Sequence, residues 1–176
     1  KTQLHGNAAD LNLTPVIALS HPREDGPDPI VKLVIETEKK LQYSDNLGWN
    51  WHKSWNLPSI SAIIEVKDPD TKEVLYAPKN IFAHIFAVKA VSENANSLYF
   101  VDVGLRGTNK VELFDGKATF STLKFASTSY NNEGVKFHLL IVLYLEVDED
   151  ETPKILRAVV SPPIFVDSRK SVRENQ

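Results

Sequence analysis

The stretch Val135-Lys136-Phe137-His138-Leu139-Leu140-Ile141-Val142-Leu143-Tyr144-Leu145 decides how this chain folds. Every residue from Leu139 to Leu145 is apolar. A run this short, bordered by polar residues, reads as a strand. Its unbroken apolarity predicts cover on both faces, as in the middle of a sheet. Working outward, Lys110–Phe114 and Lys117–Phe125 flank Asp115-Gly116, a strong two-residue hairpin signal. Beyond the acidic turn Asp148–Glu151 lies a second long β-type run, Ile155–Val166. Ser59–Lys67 is β-branched and ends at the turn formers Asp68-Pro69-Asp70, while Ile30–Thr37 alternates with one partly polar face. Ile81–Ser92 and Leu98–Leu105 are separated by Glu93–Ser97. Strands that recur between short turns, with little helical periodicity, predict an all-β, antiparallel sandwich or barrel. Residues 1–28 are punctuated by Gly, Asn and Pro and read as an irregular flanking segment. Residues 29–168 form the sandwich, and residues 169–176 a basic exit.

Length and composition narrow the classes. A chain of 176 residues is one domain able to bury a core without staples. Absence of cysteine excludes disulfides, thiolate metal sites and cysteine nucleophiles, and fits a reducing compartment. The longest apolar run, Leu139–Leu145, is far short of the ~18 residues of a membrane helix, so no membrane partner is expected. The start at Lys1, without Met, reads as an excised or processed piece. A net charge of −3 is awkward for a nucleic-acid binder. However, Asp148–Glu151 alone contributes −4, and the remainder is +1. A dipolar domain with one basic end accommodates both facts.

No catalytic constellation emerges. The five histidines show no His-x-x-x-His pair and no zinc-ligand spacing. There is no Gly-x-Ser-x-Gly elbow, and Gly104-Leu105-Arg106-Gly107 lacks the spacing and the Lys-Ser/Thr of a phosphate loop. Asp148–Glu151 lacks the alternating ligands of a calcium loop and reads as a solvated hairpin tip. Neither enzymatic activity nor a metal or cofactor is expected. Trp49, Trp51 and Trp55 admit two readings. They form a stacking platform for bases or sugars, or they fold over a sandwich end and fill a secondary core.

Phe120-Ser121-Thr122-Leu123-Lys124-Phe125, the polar loop Ala126–Lys136 and the apolar strand after it resemble the strand-loop-strand arrangement of Runt and yeast meiotic Ndt-type transcription factors. Val159-Val160-Ser161-Pro162-Pro163-Ile164-Phe165-Val166-Asp167-Ser168-Arg169-Lys170 resembles the final strand and exit of Rel and Ndt-type domains. The STAT-related, CudA-like factors of social amoebae belong to the same set of similarities. About sixty residues are covered, in the C-terminal part of the chain. The resemblance implies an antiparallel immunoglobulin-like β-sandwich with long loops, binding double-stranded DNA at one end in a nuclear transcription regulator. A homodimer would form through regions outside this chain. The Rel arginine-rich loop with its Cys is absent, the arginines of the Runt loop reduce to Lys136, and Asp167-Ser168-Arg169-Lys170 stands where the Ndt-type exit has Arg-Gly-Arg.

On this reading Ser129, Tyr130, Asn131 and Asn132 offer neutral groups to phosphates, and Asn can also pair with an adenine edge. Lys136, Arg169, Lys170 and Arg173 supply charge, with Arg106, Lys39 and Lys40 completing the set. Arg169 and Lys170 would touch phosphate, weakening binding to all sequences alike when replaced. Two rivals stand beside it: an immunoglobulin-like protein-interaction module, favoured by the acidic balance, and a carbohydrate-binding sandwich using the tryptophans.

Overall fold

A computed structural model of the chain describes residues 2–4, 14–18, 30–37, 42–44, 48–76, 80–94, 97–145 and 154–169. In chain order its strands are β1 (Thr2–Leu4), β2 (Thr14–Ala18), β3 (Ile30–Thr37), β4 (Gln42–Ser44), β5 (Gly48–His52), β6 (Ile60–Lys67), β7 (Val74–Tyr76) and β8 (Ile81–Asn94). There follow β9 (Ser97–Asp102), β10 (Leu105–Arg106), β11 (Lys110–Glu112), β12 (Lys117–Phe120), β13 (Lys124–Phe125), β14 (His138–Leu145), β15 (Lys154–Val160) and β16 (Ile164–Asp167). A 3-10 turn at Tyr130–Asn132 interrupts the loop between β13 and β14.

One sheet runs β1-β3-β6-β12, with β7 also on β6; the other runs β11-β8-β14-β15-β2, with β9 also on β8. Taken in sequence, β3, β6 and β12 share one sheet while β8, β14 and β15 share the other. That is the A-B-E against C-F-G partition of an immunoglobulin-like sandwich. The core is written at every second residue. Ile60, Ala62 and Ile64 of β6 and Ala118 and Phe120 of β12 are buried with Ile81, Ala83, Ile85 and Ala87 of β8 and Leu139, Ile141 and Leu143 of β14. The period of two places each set on one face, and burying both sets drives the two sheets together.

β14 holds the central position expected of it, between β8 and β15. Its cover differs from the expectation. Leu139, Ile141 and Leu143 are buried, whereas Leu140, Val142 and Tyr144 are half-buried. A two-layer sandwich covers one face of each sheet, so the outer side chains shelter against neighbours in the sheet itself. Tyr144 stacks on Phe82 at 5.9 Å, and Lys110 Nζ lies 4.7 Å from the Phe82 ring centre and 5.6 Å from that of Tyr144.

Asp115 and Gly116 close the expected hairpin at φ 50° and 74°. Phe114 and Lys117 exchange backbone hydrogen bonds of 2.9 and 3.0 Å. Both positive φ values identify a type I′ turn. Three expected strands are broken. Thr122, at φ 56°, divides Lys117–Phe125; Gly104, at φ 91°, divides Leu98–Leu105. Pro162 and Pro163 lack the N–H that would continue β15, so the chain leaves that ladder and starts β16. The detached pieces make two small sheets, β10-β13 and β16-β5-β4, the β16–β5 pairing being parallel. Residues 1–28 are less irregular than expected, since β1 and β2 pair antiparallel with β3 and β15.

Candidate functional site

β16 is the spine of the site. One edge pairs with β5, Ile164 opposite Trp49 and Asp167 opposite His52, and the Lys53 N–H donates to Asp167 O at 2.8 Å. The other edge receives the loop. Phe137 and Ile164 exchange both backbone bonds, at 2.8 and 2.7 Å. Ser129 N–H donates to Val166 O at 2.9 Å, and Val166 N–H donates to Ser129 Oγ at 3.0 Å. Loop and exit are therefore one assembly.

The loop is shaped from within. Ser129 O accepts from Asn132 N at 3.0 Å and Gly134 N at 2.8 Å, with Glu133 and Gly134 at positive φ. The Asn132 amide donates to Ser127 Oγ and Thr128 O, both at 2.9 Å, and its Oδ1 accepts from Lys89 Nζ at 3.2 Å. Two expected contact residues thus have structural duties. Ser129 is 0 % exposed and its hydroxyl is used by β16. Asn132 is engaged through both ends of its amide. Tyr130 and Asn131 are exposed. We expect Asn132→Ala to lower unfolding free energy by about 1–3 kcal/mol and Asn131→Ala to change it by less than about 0.5 kcal/mol, as denaturant midpoints would read.

Arg169 is held in place. Its Nε donates to Asp167 Oδ1 at 3.2 Å and Oδ2 at 3.0 Å, an Nη2 N–H reaches Oδ2 at 2.7 Å, and its backbone N–H reaches Oδ1 at 2.8 Å. The guanidinium carbon lies 5.8 Å from the Tyr130 ring centre, and Tyr130 meets Phe165 edge-on at 5.3 Å. The Asp167 side chain is 6 % exposed, that of Arg169 62 %. Burial pushes the Asp167 carboxyl upward, but hydrogen bonds and charge from Arg169 outweigh it and hold the carboxyl below its usual range. The same contacts raise Arg169, Asp167 acting most strongly and Tyr130 adding to it. His52 fastens the segment from the other side. Its Nδ1 accepts the Ser54 N–H at 3.1 Å, so in the neutral ring Nε2 carries the proton and donates to Arg169 O at 3.2 Å.

Beside His52 opens a groove of ≈ 340 Å³ lined by His52, Lys53, Ser54, Arg106, Lys124, Phe125 and Ser168. Arg106 on β10 and Lys124 on β13 are direct cross-strand partners. The glycines flanking β10 permit this approach. A Cβ on Gly107, at φ 109°, would stand 3.0 Å from Thr122 O, and one on Gly104 would stand 3.0 Å from Ala126 Cβ. Arg106 was among the expected residues; Lys53 and Lys124 were not, being single cations in polar or strand sequence. Lys136 is half-buried at the end of the loop. Lys39, Lys40, Lys170, Arg173 and the acidic turn Asp148–Glu151 lie outside the described residues.

Trp51 and Trp55 are buried, edge-to-face at 5.2 Å, and Trp49 packs partly buried on the same cluster. They fill the main core. Trp51 and Trp55 therefore offer no open stacking face. Among the other described histidines, His84 stacks on Phe86 at 3.8 Å, while His138 Nδ1 lies 2.8 Å from Ser161 O. Burial, then the Lys110 charge, hold His84 below its usual pKa against a smaller upward pull from Asp102. No protein-family model matches the chain, and no curated protein matches it significantly.

Proposed function

We propose that this chain binds double-stranded DNA sequence-specifically through the end of the sandwich where loop and exit meet, as part of a nuclear transcription regulator. The observation that carries the reading is the buttressed Arg169. Asp167 occupies the Nε side of the guanidinium. The Nη1 hydrogens and the second Nη2 hydrogen stay available at an exposed edge. A planar donor pair fixed in advance loses little rotamer freedom on binding, and it matches the O6/N7 edge of guanine. Tyr130 lies beside it, its ring centre 5.8 Å from the guanidinium carbon.

This geometry supports a different role for Arg169 from the phosphate contact expected from sequence. Its guanidinium is held by Asp167 in one orientation, and that rigidity suits base readout. Selection from random duplexes tests the reading. The expected result is an enriched motif containing a guanine whose replacement is tolerated by an Arg169→Ala variant. Failure to enrich any sequence, with retained capture of a protein ligand, would favour the interaction-module alternative.

A further inference from the structure

We infer that the groove between Lys53, Arg106 and Lys124 is a phosphate-oxyanion site. The inference rests on the DNA reading for its occupant, the sugar–phosphate backbone beside the base that Arg169 meets. Three cations line the groove, and among the described residues no carboxylate does. Arg106 and Lys124 stand directly opposite each other on a two-stranded ladder. Like charges in that relation destabilise a sheet. Elsewhere the chain relieves such charge: Asp167 pairs with Arg169 at 2.7 Å, and Glu65 with Lys67 at 3.4 Å. Among the described residues none of the three groove cations has such an ion pair. The backbone brings the two strands close, since a Cβ at Gly104 or Gly107 would stand 3.0 Å from the 122–126 segment. A bound anion would offset this repulsion.

The neighbours fit the ligand. Ser168 is exposed at the rim and adds a hydroxyl donor. It immediately precedes Arg169, so an anion in the groove would lie next to whatever Arg169 contacts. Recognition of this kind carries no sequence information. It would position the duplex while the buttressed arginine reads it.

The test uses the full chain with Lys53→Gln, Arg106→Gln and Lys124→Gln, singly and combined. Duplex affinity is measured between 50 and 200 mM salt, thermal unfolding without DNA, and amide NMR shifts with inorganic tripolyphosphate. Each neutralisation should lower the salt slope by roughly one, shrinking the affinity change over that range about 3.5-fold per charge. Arg106→Gln and Lys124→Gln should leave the melting temperature unchanged or raise it, since each relieves the repulsion; a purely structural role would lower it. Unchanged slopes in variants that still bind duplex would overturn the inference and leave the DNA reading standing. Were the native chain to bind no duplex while tripolyphosphate shifts the Lys53, Lys124 and Ser168 amides, and the triple variant abolishes those shifts, the anion site would stand and the DNA reading would fall. Absence of both responses overturns both.

Discussion

Phe137→Ala should lower the unfolding free energy by about 3–5 kcal/mol. Phe137 has no exposed surface, and its ring lies 6.1 Å from that of Phe125. Truncation removes buried apolar area and leaves a cavity that the β-framework can close only in part. The damage should spread to the interface. Phe137 also exchanges two backbone bonds with Ile164, at the start of the strand that carries Asp167 and Arg169. Phe125 follows Lys124 in the groove wall. The check is denaturant unfolding, with a lowered midpoint and an unchanged slope. Phe114→Ala is the control: Phe114 is 86 % exposed at the hairpin corner, so its loss should cost less than about 0.5 kcal/mol. Equal costs for the two phenylalanines would contradict the packing described above.

Arg169→Ala should relax preference at one base position by about 1–3 kcal/mol, roughly 5- to 150-fold between matched and mismatched duplexes. Non-specific affinity should fall as well, because truncation leaves the Asp167 carboxylate unpaired, so the matched-to-mismatched ratio carries the readout. Arg169→Lys should fail to restore discrimination, since an ammonium lacks the planar fork. Asp167→Asn should weaken discrimination without removing the guanidinium, which separates positioning from contact. The acid side supplies a further readout. Asp167 has a depressed pKa in the folded state, so its ion pair stabilises fully above the ordinary carboxylate range, near 4, and is lost as pH falls through the lowered value. Native protein should show that acid-side loss in exit-segment amide shifts, and the Asp167→Asn protein should not. Equal losses on matched and mismatched duplexes for Arg169→Ala would return Arg169 to the phosphate-contact role.

How much of this was legible depends on whether the deciding physics is local. The Leu139–Leu145 run announces a central strand, and Asp115-Gly116 announces a turn with two positive φ values, because each signal lies within a few residues. Thr122 at φ 56° has no such signal: a threonine is a poor choice for that conformation, and tertiary contacts impose it. Pro162-Pro163 does mark the end of β15, yet nothing beside it says that the next strand will run parallel to Trp49–His52. The groove was illegible for the same reason. Lys53, Arg106 and Lys124 are solitary cations until β10 meets β13 and β5 meets β16. The Asn132 and Ser129 side chains resembled ligand-facing groups because turn-shaping and phosphate contact draw on the same residue types.

The parallel pairing of β16 with β5 also orders events in time. It joins Trp49 to Ile164, across nearly the whole sandwich, whereas hairpins such as β8–β9 join near neighbours in sequence. Closing so long a loop costs more conformational entropy than closing a hairpin, and the cost is recovered only once the sheets on either side exist to receive the strand. We expect this latch, like the β2–β15 pairing, to close after the hairpins. Lys53, the loop around Ser129 and Arg169 all hang on that pairing, so on this expectation their mutual arrangement would be among the last parts of the fold to form.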